Sequence, residues 1–154
     1  MEYCSICMEI DKKDKKILDA LKENSNLTSR RLSKKLRIPI TTVHNRIKKM
    51  EKLGVIKSYT VKLDYKKLDK GILSYILVAV VYMLSDGKRL SQENIAKEIK
   101  KTGAEEVCIV TGGTDIVVKV RAKDVEELND YIIKKLRNVE GVDKTKTMIV
   151  LKEL

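Results

Sequence analysis

The 154-residue chain contains one histidine, one proline, one glutamine and three cysteines. No stretch approaches the roughly 20 apolar residues of a membrane span, and the N-terminus lacks the basic start and apolar centre of a signal peptide. The longest apolar run, 72–84, is broken by Ser74 and is too short to cross a bilayer. A soluble, cytoplasmic protein that does not enter membranes is therefore expected. The chain also lacks a glycine-rich phosphate loop, a nucleophile elbow and a metal-ligand cluster. Cys4-x-x-Cys7 could be half a zinc site or a redox pair, but no second pair follows, and His44 falls inside a basic helix. Four ligands would need two chains. No metal and no cofactor are expected, and a thiol- or metal-responsive switch through Cys4 and Cys7 stands as an alternative.

What is abundant is charge, at 36% of residues against 43% hydrophobic, a globular balance. The net +11 is unevenly spread. Residues 1–70 hold 19 Lys/Arg against 9 Asp/Glu, whereas 71–154 hold 14 against 13. A basic half of this kind is what neutralising nucleic-acid phosphates requires.

The basic half carries a recognisable order of parts. Asp11 and Asp14 mark a helix start, with Ile10, Ile17, Leu18 and Leu21 forming an apolar stripe behind them. Met8, which opens this segment, is a natural start that would leave residues 1–7 upstream; the N-terminal extension is placed at 1–9, before the first domain. Asn24-Ser25-Asn26 ends the first helix, and Thr28 caps a second, with Leu27 and Leu32 placed as a hydrophobic staple. Arg37-Ile38-Pro39 forms the turn into a third helix, whose apolar stripe is Ile40, Val43, Ile47, Met50 and Leu53.

The side opposite that stripe carries Thr41, Thr42, Asn45, Lys48, Lys49 and Lys52, with Arg46 on the flank. Base-reading groups come from the first turns of such a helix, which selects Thr41, Thr42 and Asn45. Arg46, Lys48 and Lys49, with Arg30, Arg31 and Lys34 on the second helix, suit phosphates, which position the protein without reading sequence. Gly54 stops the third helix. Val55-Ile56 and 59–63 then read as a hairpin around Lys57-Ser58, with Lys57 near a phosphate. Together these parts make a winged helix-turn-helix over 10–63, followed by a polar linker at 64–70.

Residues 71–154 change character. A strand at 72–83 is followed by a helix carrying Leu90, Ile95 and Ile99, then strands at 107–110 and 116–120 joined by Thr111-Gly112-Gly113-Thr114-Asp115. Asp124 and Glu127 box a helix over Val125, Leu128, Ile132 and Leu136, and 145–151 makes a last strand. The order is βαββαβ, a ferredoxin-like unit, so the fold class is α+β. Two helices can cover only one face of its sheet. The strands do not alternate cleanly enough for the other face to be wet, so a second copy is expected to cover it, giving a homodimer.

A winged helix-turn-helix followed by βαββαβ resembles the Lrp/AsnC (feast/famine, leucine-responsive) transcription regulators. The resemblance spans residues 10–151, carried by IDKKDKKILDALKENSNLT, TTVHNRIKKMEKLGVIKSYTVKLD, VTGGTDIVVKV and GVDKTKTMIVL. It implies a regulator bound to double-stranded DNA, dimers through the C-terminal domain that assemble into octamers, and amino-acid effectors held between dimers. The family's effector loop falls on Gly112, Gly113, Thr114 and Asp115, where glycines would admit a ligand to the backbone, amides suit a carboxylate and Asp115 an ammonium. A tight hairpin that simply needs glycine is the alternative for this loop. The chain departs from the family at Arg37 and Pro39-Ile40, where Gly and Ser-Pro are usual, and at Thr114, where an aromatic is common.

Two rival functions remain: an architectural DNA-binding protein with little sequence preference, and an enzyme like the related siroheme decarboxylases. The C-terminal half has no histidine for such chemistry, and no enzyme is expected.

Overall fold

The computed structural model describes residues 10–153. The extension at 1–9, with Cys4, Cys7 and the start at Met8, lies outside the described residues. A division after Leu63 separates two compact units.

The first unit is three helices: α1 (Lys12–Glu23), α2 (Ser29–Leu36) and α3 (Ile40–Lys52). A reciprocal capping box starts α1. Asp11 Oδ1 accepts from the amides of Lys13 and Asp14 at 2.7 and 2.9 Å, and Asp14 Oδ2 accepts from the Asp11 amide at 3.1 Å. Thr28 Oγ1 accepts from the Arg31 amide to open α2. Arg37 closes α2 in the left-handed region at φ 54°. Ile17, Leu21, Leu32, Val43 and Met50 bury one another in a single core. Ile40, expected on the buried stripe, is 46% exposed instead, because the first residue of α3 lies beyond the reach of that core.

The hairpin expected at Val55–Leu63 does not form. Residues 57–63 form neither helix nor strand. Val55 and Ile56 are committed elsewhere: both amides donate to the Met50 carbonyl, and both side chains pack on the helical core. Lys57-Ser58 also lacks the positive-φ residues that a two-residue hairpin turn favours, and an isolated two-stranded ribbon is marginal. The segment is fastened by side chains. Tyr59 Oη donates to Glu51 Oε1 at 2.8 Å, and Ser25 Oγ donates to the Thr60 carbonyl at 2.9 Å. Burial, then the Glu51 bond, pushes the Tyr59 hydroxyl up to about 12.

The second unit begins with a 3-10 turn at Tyr65–Leu68. It continues through β1 (Ile72–Val80), α4 (Gln92–Lys101), β2 (Glu106–Ile109), β3 (Ile116–Ala122), α5 (Val125–Asp130, passing into a π-helical turn at Tyr131–Leu136) and β4 (Val142–Ile149). The sheet is antiparallel in the order β2-β3-β1-β4. β1 is shorter than expected because its register with β4 slips at Ala79/Val80 and the chain then turns, Leu84 N bonding Lys88 O. β4 begins and ends earlier than expected, at Val142 and Ile149. Both helices lie on one face, where Ile76, Val78 and Val118 meet Ile95, Ile99 and Leu136. The opposite face bears Tyr75, Leu77 and Ala79 of β1, Val117 of β3 and Met148 of β4, and no element of this unit packs along its length. At one end it is capped, where Tyr65 lies over the Arg121 guanidinium at 3.9 Å.

Candidate nucleic-acid interface and effector loop

The first turns of α3 present Thr41, Thr42 and Asn45 away from the core that buries Val43 and Met50. Thr41 and Asn45 are exposed, Thr42 half-buried, and none of the three makes a side-chain hydrogen bond among the described residues. Lys48 and Lys49 continue this surface toward the C-terminus of α3. Arg30, Arg31 and Lys34 are exposed on α2, and Lys57 is exposed past Gly54. Short side chains with donor and acceptor groups are thus followed along α3 by Lys48 and Lys49, with further exposed cations on α2 and at Lys57.

Arg46 does not belong with those cations. Its Nη1 pairs with Asp11 Oδ2 at 2.6 Å and Asp14 Oδ1 at 2.8 Å. Asp14 is 1% exposed, so its carboxylate needs a partner, and Arg46 is that partner. The bond to Asp14 and then the bond to Asp11 raise the Arg46 pKa. The Asp11 carboxyl is held below its usual range, first by the amide bond from Asp14 and also by Arg46. Arg46 is therefore a clamp between α3 and the start of α1. A signal for this was present in the sequence: Asp14 falls between Ile10 and Ile17 at helical spacing, which puts a carboxylate on the buried stripe.

In the second unit the loop between β2 and β3 contains Gly112, at φ 119°, and Gly113, whose absent Cβ would meet nothing within 4 Å. The amides of Gly112, Gly113 and Thr114 donate to no acceptor among the described residues. Thr114 Oγ1 instead donates to the Val78 carbonyl at 2.9 Å. Asp115 is not an open carboxylate. Its Oδ2 accepts from the Val80 amide at 2.9 Å and its Oδ1 from Tyr82 Oη at 2.7 Å, while its carbonyl accepts from Gln92 Nε2. The Tyr82 hydroxyl is pushed up in turn, chiefly by that bond. Asp115 thus fastens the loop to β1, and Tyr82 and Gln92, which periodicity does not single out, complete the fastening. Each Asp115 carboxylate oxygen has accepted one bond and retains a second lone pair.

Among the described residues no group of three His, Cys, Asp or Glu is placed to hold a metal, and no helix is long and apolar enough to cross a membrane.

Comparison with known proteins bears on both units. Residues 10–57 match a family described as winged helix-turn-helix DNA-binding, and residues 78–154 match the Lrp/AsnC ligand binding domain. An uncharacterised HTH-type transcriptional regulator of Pyrococcus furiosus is 43% identical over 141 residues, covering 91% of each chain. The HTH-type transcriptional regulator FL11 of the same organism is 38% identical, covering 93% of this chain and 90% of that one. Among solved structures, a transcriptional regulator of Neisseria meningitidis in complex with L-methionine superposes with a TM-score of 0.84 at 26% identity, covering 94% and 91% of the two chains. LrpC of Bacillus subtilis gives 0.78 at 26% identity, covering 94% and 96%.

Proposed function

Because the chain belongs to the Lrp/AsnC family of DNA-binding transcriptional regulators, we propose that it recognises a specific operator through Thr41, Thr42 and Asn45 and answers to an amino-acid effector at the loop 112–115. The observation that carries the DNA reading is three short polar side chains without side-chain hydrogen bonds at the start of α3, followed by Lys48 and Lys49 on the same helix, with Arg30, Arg31 and Lys34 exposed on α2. Asn45 suits the paired acceptor and donor of adenine, and the threonines suit a thymine methyl or a base edge. Each protomer brings one reading helix. A dimer through the uncovered sheet face would bring two, matching a site with two-fold symmetry, and octamers would extend the same logic to several turns of DNA.

Binding to the protein's own promoter and to random DNA of equal length, at two salt concentrations, tests this reading. A promoter preference of about 10³-fold or more is expected. Equal, steeply salt-dependent affinity for both DNAs would instead make the protein architectural. Asn45→Ala should cost about 1–3 kcal/mol on the promoter and little on random DNA. Lys48→Ala should weaken both alike and make the salt slope shallower by about one. Identical behaviour of the two variants would refute the division into reading and positioning residues.

For the effector, three unengaged amides at Gly112, Gly113 and Thr114 suit the carboxylate of an α-amino acid, and the spare lone pairs of Asp115 suit its ammonium. Gly113→Ala separates this reading from a mere turn. The added methyl touches nothing in the protomer, so the melting temperature should stay within about 2 °C of the wild type. It would stand where the ligand carboxylate approaches, so calorimetric amino-acid binding should fall about tenfold or more. Unaltered binding by the variant would assign the loop to structure alone.

A further inference from the structure

The helices of the two units differ in how they begin. α4 places Glu93 in its first turn and Lys100 and Lys101 in its last, and α5 opens on Glu126 and Glu127, as the helix dipole favours. The helical unit inverts this. α2 has no acid in its first turn, where Arg30 and Arg31 stand instead. α1 opens on Lys12 and Lys13, with Lys15 and Lys16 following Asp14. Asp14 does not neutralise these lysines, since its carboxylate is buried and committed to Arg46 and the Asp11 amide. Lys12, Lys13, Lys15 and Lys16 are all exposed, and none makes a salt bridge or a side-chain hydrogen bond among the described residues. Lys12 and Lys16, four apart, are also like charges on one face of the helix. Four cations at its positive end weaken α1 locally, and a local rule broken with no compensation inside the fold points to a demand from outside it.

The start of α1 is also held beside the candidate reading helix. Arg46, in the middle of α3, grips Asp11 at 2.6 Å and Asp14 at 2.8 Å. Asp11 and Asp14 in consequence line one hollow with Thr42, Asn45 and Lys49. Thr42 and Asn45 are proposed base readers, so the opening turn of α1 flanks the reading side of α3. The amides of that turn are not what would draw an anion, because Asp11 already occupies those of Lys13 and Asp14. The attraction belongs to the lysines. Flexible ammonium groups beside a groove-entering helix suit phosphodiester oxygens, which ask for charge and tolerate varied geometry. We propose that Lys12, Lys13, Lys15 and Lys16 form a second phosphate-binding surface, gripping the DNA backbone beside the groove that α3 enters. The surface adds affinity without reading sequence, and it rests on the proposed docking of α3. A role in solubility alone would be served as well by lysines at the C-terminal end of α1, where the dipole favours them.

The test uses the full-length protein and fluorescence anisotropy with the promoter duplex and a random duplex of equal length. Lys12→Gln, Lys13→Gln, Lys15→Gln and Lys16→Gln are combined in one variant, glutamine keeping the helix propensity of lysine. It should bind both duplexes about tenfold or more weakly while its promoter preference is kept. Its salt slope should fall by about one for each lysine in contact. Its melting temperature should hold or rise, because the repulsion at the start of α1 is gone. Affinity lost while stability is kept distinguishes a binding surface from a structural one. Unchanged affinity would overturn the inference and leave the lysines as solvated surface. Affinity and melting temperature falling together would overturn it in favour of a structural role. A control removes the same charge from exposed lysines of the sheet unit, through Lys97→Gln, Lys123→Gln, Lys135→Gln and Lys152→Gln, and should leave affinity within about threefold. An equal loss in that control would assign the effect to net charge and overturn the inference as well. If the wild type shows no promoter preference while the α1 variant still weakens both duplexes, the operator reading fails and this surface stands.

Discussion

Arg46→Ala is expected to cost the helical unit roughly 3 kcal/mol, a large part of what a unit of this size holds. The loss would come less from the missing attraction than from what is left behind. Asp14 is 1% exposed, and without the guanidinium its carboxylate is buried and, among the described residues, answered by the Asp11 amide alone. Urea unfolding followed by circular dichroism would measure it. Replacing the pair together, Arg46→Met with Asp14→Asn, should recover much of the loss, because the cost lies in breaking the pair and not in lacking one. A cost below about 1 kcal/mol for the single variant would mean that Asp14 finds another partner.

The same cluster sets an acid limit. The Asp11 carboxyl is depressed in the folded protein, so its contribution is complete above its unfolded value of about 3.9. It is lost as pH falls through the lower folded value. Weakening of the helical unit should therefore appear below about pH 4, and Arg46→Ala should blunt that dependence because one of the depressing interactions is gone.

Gly141→Ala is the second large effect, about 2–4 kcal/mol in the sheet unit. Two causes add. Gly141 has φ 94°, a conformation that costs an L-residue about 1–2 kcal/mol. A Cβ there would also stand 2.6 Å from Ile95 Cδ1 and 2.8 Å from Leu90 Cδ1, and overpacking of this kind costs about 1–3 kcal/mol. Gly103→Ala is the natural control, with φ 99° and nothing within 4 Å of the added methyl. Thermal melts of the two variants separate strain from crowding. Equal losses would show that the Ile95 and Leu90 side chains move aside at no cost.

Most of the fold was legible because it is written in short-range patterns. The caps at Asp11, Thr28 and Asp124, the stripe through Val43 and Met50, and the βαββαβ order are all local in sequence. What was not legible depends on residues far apart. Arg46 looks like any basic residue on a basic helix until α1, 32 residues earlier, brings Asp14 beneath it. Asp115 reads as an open carboxylate until Val80, at the end of β1, and Tyr82, just past it, arrive from more than 30 residues away. The strand pairing expected after α3 is not formed for a related reason, since Val55 and Ile56 have strand propensity but their amides are claimed by Met50. Of the candidate DNA residues, those chosen for helix face stand where the periodicity placed them, whereas the one on the flank was recruited inward.

The inward turn of Arg46 has a consequence for how this regulator can change its target. Along α3 the residues that hold the fold and those that face outward are different residues. The side chains of Thr41, Thr42 and Asn45, the proposed reading residues, make no hydrogen bond among the described residues, so drift or design at these three positions is expected to retune operator preference with little loss of folding stability. Position 46, although it lies in the middle of the same helix, is closed to such retuning. A library built to reprogram this protein would spend its diversity at three positions and leave the fourth constant.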